Sequence, residues 1–140
     1  MRGPNFKKQN TNKIEQTFEY LGFMECMASL ANWSYNHPQY TYPEIIDTYL
    51  SIKAQQIEHP LIPYTQNVAN DFVLSPGDKV SIITGSNMSG KSTFLRTLAI
   101  NMILGYTGTK TASQAFSMPI VTIVTYMRIK DALEENVSTF

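Results

Sequence analysis

Gly85-Ser86-Asn87-Met88-Ser89-Gly90-Lys91-Ser92 is the stretch that decides how this 140-residue chain is read. It fits G-x-x-x-x-G-K-[ST] at every fixed position. Gly85 and Gly90 let the backbone curl until its N–H groups face phosphate oxygens. Lys91 reaches toward β- and γ-phosphates, and the Ser92 hydroxyl is a ligand for Mg²⁺. Chance alone gives such a match in a chain this long about 0.5% of the time.

The flanks supply the context that the motif requires. Lys79-Val80-Ser81-Ile82-Ile83-Thr84 is a short β-branched run that predicts a buried strand. Downstream, Leu95, Leu98, Ala99 and Met102 recur at helical spacing, with Gly105 and Gly108 as stop signals. Strand, glycine loop and helix together predict an α/β chain with a phosphate-binding loop.

Hydrophobic residues are 43% and charged residues 16% of the chain, a balance that suits a packed core and excludes a disordered one. Lys+Arg and Asp+Glu both total 11, so there is no excess of positive charge to mark a nucleic-acid face. Cys26 is the single cysteine, which excludes an internal disulfide; its apolar neighbours predict a buried small hydrophobe. A lone thiol without a secretory signal suits the cytoplasm. No apolar run approaches the roughly 20 residues of a membrane span.

Residues 1–11 are polar and predict a frayed start. Asn12 with Glu15 forms a capping-box pattern that opens a helix running to about Tyr35. Ile14, Phe18, Leu21, Met24, Met27 and Ala28 give that helix a broad apolar face, and Asn36-His37-Pro38 ends it. Alternation over residues 50–55 predicts a half-buried strand, and residues 71–75 a second short one before the Pro76-Gly77-Asp78 turn. Residues 109–118 are expected as polar loop, and residues 120–126 as a strand.

The segment Thr84 through Thr93 resembles the Walker A segment of the MutS family of DNA mismatch-repair ATPases, in its inner Asn87-Met88 and in the Thr that follows Lys91-Ser92. Glu58-His59-Pro60 and Ser138-Thr139-Phe140 are similar to two further segments of that family. The resemblance covers about residues 44–140. Residues 1–43 resemble, less specifically, the connector by which the long lever helices return to the ATPase domain. It implies an α/β P-loop fold of the ABC type, in part: Walker A is present, while Walker B and its following His lie beyond the Ser-Thr-Phe segment. On this expectation the chain is a fragment.

The same resemblance implies ATP and Mg²⁺ as cofactors. Gly85, Ser86, Asn87, Met88, Ser89, Gly90, Lys91, Ser92 and Thr93 are then the nucleotide-binding residues. Asn87 contacts the γ-phosphate or the attacking water; the other reading of Asn87 is a turn-former. Ser138 reaches a γ-phosphate across a dimer; the other reading is a helix cap. Val68-Ala69-Asn70 matches the family's apolar-Ala-Asn step, so Val68 packs on the adenine. The stacking aromatic just before it is replaced by Asn67, with Tyr64 as a substitute or a surface tyrosine. Asn136 stands where the family often has Gly.

Partners implied are a second ATPase subunit, and mismatched double-stranded DNA held through other domains in a bacterial cytosol or nucleoid. Asp131 follows Tyr-Met-Arg-Ile-Lys rather than an apolar strand, which argues against a Walker B acid. Glu134 and Glu135 read as a solvated face. Two other readings stay open: another ABC-type or P-loop ATPase, and a nucleotide-binding or oligomerisation module without turnover.

Overall fold

The computed structural model describes residues 4–47, 51–86 and 89–126, with side chains given from residue 11 onward except at 12. The order is α1 (Pro4–Asn36), β1 (Glu44–Ile46), β2 (Ile52–Ile57), β3 (Asn70–Leu74), α2 (Lys91–Tyr106) and β4 (Ala115–Pro119). The strands form one mixed sheet in the order β1-β4-β2-β3. β1 runs parallel to β4, and β2 runs antiparallel to both β3 and β4.

Strand β2 follows the predicted alternation at Ile52 and Ala54, and turns Ile57 inward after an irregular step. Phe116 and Met118 of β4 and Met102 of α2 close the core over them. Each large side chain so buried contributes about 1.5–3 kcal/mol. The step from Ala54 to Ile57 is irregular: the register shifts there, and Gln56 sits at φ 48°. Asp71 relieves the bulge by accepting the Gln56 backbone N–H (2.7 Å) and its side-chain N–H (3.1 Å).

Helix α1 starts earlier than the capping-box pattern predicts. Pro4 at its first position fixes φ where the N–H has no helical partner, so the polar lead joins the helix. It ends as expected before Pro38, where His37 Nδ1–H donates to the Trp33 carbonyl (2.8 Å). Among the described residues nothing covers most of its apolar face. Phe18 and Met24 are each at least two-thirds exposed, and Cys26 is exposed rather than buried. The last turns of α1 are seated. Trp33 Nε1 donates to Lys110 O (2.8 Å), Thr109 Oγ1 donates to Leu30 O (3.2 Å), and Lys110 Nζ donates to His37 O (3.3 Å).

Helix α2 begins at Lys91, a turn ahead of the predicted helical spacing from Leu95. Gly108, at φ 77°, ends it as a left-handed cap residue. The N–H of Thr109 reaches Leu104 O (3.3 Å) and that of Gly108 reaches Gly105 O (3.0 Å), a Schellman closure. Gly105 is not a stop signal: it lies buried inside the helix, where a Cβ would meet Met118 and stand 2.9 Å from Pro43 Cγ.

Three sequence-based expectations are corrected. Residues 115–119 form β4 rather than loop, because pairing on both sides overrides a weak intrinsic preference. Residues 79–84 and 120–126 are not strands. Among the described residues no strand offers them a ladder, and β-branched side chains favour a pleated surface only when neighbours supply one. Val80, Ile82, Ile120 and Val124 are correspondingly exposed.

Candidate phosphate-binding site

The site is built at the N-terminal end of α2. Gly90 precedes the helix at φ 83° and ψ 8°, a left-handed geometry that glycine adopts without a Cβ penalty. It offers no side chain to cap the first turn, and that turn holds no acidic residue. The leading N–H groups and the positive end of the helix dipole therefore favour an anion.

Lys91 folds back across the loop. Its Nζ donates to the carbonyl of Gly85 (2.8 Å), to that of Ser86, and to Ser89 Oγ (3.3 Å). Ser89 N–H donates to Ser86 O (3.3 Å), which closes the turn. A Cβ added at Gly85 would stand 2.7 Å from Ser89 Oγ and turn that hydroxyl away from Lys91. Ser92 and Thr93 are exposed on the first turn. Gly85, Ser86 and Ser89 are thus drawn together by Lys91 at the start of α2, with Gly90, Ser92 and Thr93 beside them. Asn87 and Met88 lie outside the described residues, as does Ser138.

The residues fit a bound nucleotide phosphate: an ammonium held by weakly competing carbonyls, an uncapped helix start and a hydroxyl at Ser92. They offer less to a metal ion on their own. Among the described residues no cluster of three His, Cys, Asp or Glu side chains is close enough to hold one.

Val68 is 73% exposed, and Asn70 Nδ2 donates to its carbonyl (2.9 Å). Asn67 has a different task from stacking. Its Oδ1 accepts the His59 N–H (3.2 Å) and its Nδ2 donates to the His59 carbonyl (2.9 Å), which pins both ends of the 59–67 loop. His59 in turn accepts the Leu61 N–H at Nδ1 (3.3 Å), a turn-holding role ahead of Pro60. Tyr64 is exposed.

Sequence reasoning missed Asn101. It is fully buried on α2 and hydrogen-bonded at every polar position. The available signal was a lone amide inside the apolar run Leu98-Ala99-Ile100-Asn101-Met102-Ile103-Leu104. It also missed the Tyr40–Glu58 pair, in which the phenol donates to Glu58 Oε2 (3.0 Å). Burial first, then the bond to Glu58 and the charge there, push the Tyr40 hydroxyl up to about 12. Asp71 lies below the usual carboxylate range because the Gln56 backbone and side-chain N–H groups favour its ionised form.

An open groove of about 720 Å³ runs between α2 and residues 121–125, lined by Ile100, Ile103, Tyr106, Val121 and Ile123 among others. It is apolar and distinct from the loop.

Residues 81–140 match the family described as MutS domain V. Over 139 residues, 94% of this chain, the sequence is 33% identical to the DNA mismatch repair protein MutS of Salinibacter ruber. The chain spans about 15% of the length of that relative. Among the described residues no helix is long and apolar enough to cross a membrane. Both comparisons thus find similarity to the MutS family, one over residues 81–140 and one over almost the whole chain.

Proposed function

We propose that this chain is the ATP-binding segment of a MutS-like DNA mismatch-repair ATPase, comprising a helical connector (residues 1–43) and the first part of an ABC-type P-loop domain (residues 44–140). The observation that carries this is the loop from Gly85 to Gly90 closing on Lys91 at an uncapped helix start. In the proposed complex the triphosphate replaces the loop carbonyls as partner of Lys91. The backbone N–H groups of residues 90–93 and the helix dipole hold the phosphates, and Ser92 supplies a hydroxyl to Mg²⁺. Val68 offers an apolar edge to the base. Asn87 contacts the γ-phosphate or the water, and Ser138 acts from a second subunit. ATP binding and hydrolysis in the whole protein gate a dimeric clamp on mismatched DNA through domains other than this one.

The second reading, nucleotide binding without turnover, has one observation in its favour. After Lys91 the acidic residues are Asp131, Glu134 and Glu135, none of which follows an apolar strand. Hydrolysis needs a carboxylate for the metal and one for water. For these 140 residues alone we therefore propose binding with slow or no hydrolysis. Titration calorimetry with Mg²⁺–ATP tests the binding: Lys91→Ala should remove most of the affinity. An unchanged affinity in that variant would remove the phosphate-loop reading, and robust turnover by the purified chain would remove the second.

A further inference from the structure

Asn101 has no exposed surface, and its amide joins three separate segments. Nδ2 donates to the carbonyl of Glu58 just beyond β2 (2.9 Å) and to that of Thr97 one turn earlier in α2 (2.9 Å). Oδ1 accepts the N–H of Ala112 on the path to β4 (2.6 Å). Glu58 and Ala112 are themselves tied, the Glu58 N–H donating to the Ala112 carbonyl (2.7 Å). An amide has two donor hydrogens, and both are used here.

A buried amide is a costly way to fill a core, since each of its polar atoms must find a partner. Its return is direction. The neighbouring seat of α2 is apolar: Met102 lies in the core, and Phe94 packs on Phe72 with ring centroids 5.6 Å apart. Apolar contact is non-directional and tolerates small slides of a helix along its groove. Three directed hydrogen bonds do not. Asn101 lies ten residues beyond Lys91, about 15 Å along one continuous helix. A helix of that length moves as a rod, so a shift at Asn101 arrives at the loop undiminished.

We infer that Asn101 is a positioning residue for phosphate binding: by locking α2 to the ends of β2 and β4, it sets where Lys91 and Ser92 meet the phosphates. This rests on the nucleotide-binding reading above. Phosphate coordination requires groups placed to about 0.5 Å, and a misplacement of about 1 Å costs up to roughly a hundredfold.

The test compares Mg²⁺–ATP affinity of the purified chain with Asn101→Leu and with Met102→Ala, at a temperature where circular dichroism shows each fully folded. Met102→Ala removes core packing from the adjacent residue and serves as the control for lost stability alone. Asn101→Leu is expected to weaken binding about tenfold or more, while Met102→Ala stays within about threefold at an equal or larger fall in Tm. If Asn101→Leu does not fold, Asn101→Ser, which keeps a hydroxyl in a smaller side chain, is expected to show the same weakening. Binding within twofold of the parent for either Asn101 variant, or an equal loss in Met102→Ala, overturns the inference. A parent chain that binds no Mg²⁺–ATP, with Lys91→Ala indistinguishable from it, removes the nucleotide reading itself and this inference with it.

Discussion

Replacing Gly105 by Ala adds one methyl where α2 meets Met118 of β4 and Pro43. Two effects oppose each other. Alanine in a helix interior is favoured over glycine by about 0.8–1.0 kcal/mol. The new Cβ, however, falls on Met118 and stands 2.9 Å from Pro43 Cγ. Met118 is fully buried between β-sheet and helix, so its thioether end has little room to retreat. Overpacking of this kind costs about 1–3 kcal/mol. Crowding wins where the core is tight, leaving Gly105→Ala destabilised by about 1 kcal/mol and its Tm lower by roughly 3 °C. Urea unfolding and thermal scans followed by circular dichroism measure both. Truncating the obstacle supplies the cross-check. In a Met118→Ala background, itself about 2–5 kcal/mol less stable, adding Gly105→Ala should cost little or nothing. A variant that is neutral or gains the full helix-propensity increment would refute the seating of α2 against Met118 and Pro43.

Four further outcomes follow from particular contacts. Gly85→Ala pushes a methyl into Ser89 Oγ and should weaken Mg²⁺–ATP binding roughly tenfold, with partial recovery in Gly85→Ala/Ser89→Gly; calorimetry on both reports this. Tyr40 holds its proton more tightly folded than unfolded, so its contribution to stability is complete below pH 10 and is lost as pH rises toward about 12. Tyr40→Phe should flatten that alkaline decline in urea midpoints, and identical declines would contradict the Glu58 contact. Asp71 has the opposite sign: its lowered pKa contributes stability above the ordinary carboxylate range, which fades as pH falls through the lowered value. Asp71→Asn should therefore lose less stability on acidification than the parent, as read from Tm between neutral and acid pH. Cys26 is exposed on α1, so a thiol reagent should label the folded chain as fast as the urea-unfolded one; strong protection would place α1 against a partner surface.

What the residues disclosed depended on whether the deciding force was local. The Gly90–Lys91 junction was legible because a left-handed glycine, a helix start and a lysine carry their chemistry within four positions. The alternation of Ile52 and Ala54 was legible because period two follows from strand geometry, whereas the bulge that turns Ile57 inward was not. β4 was not, since Ala115-Phe116-Ser117-Met118-Pro119 becomes a strand only through two neighbours distant in sequence. Val80-Ser81-Ile82-Ile83 failed the other way: strong β-propensity found no ladder among the described residues. At the site, the Lys91 loop contacts lie within reach of the motif itself. Asn101 and the Asn67–His59 clamp stayed hidden because a polar side chain declares its partners only once the chain has folded. The apolar face of α1 was read correctly as a pattern, but a pattern says that burial is favourable, not where the covering surface is.

Helix α1 is anchored at its base, where Leu30, Trp33 and His37 meet Thr109 and Lys110 just past the end of α2. Its 33 residues span about 50 Å. That makes the anchored turn a pivot with a long moment arm. A tilt of about 5° at the pivot sweeps the far end through about 4 Å, roughly the width of one side chain. The mechanical demand therefore falls on a few hydrogen bonds beside Gly108, and their angular stiffness sets how finely the remote end of the chain can be aimed.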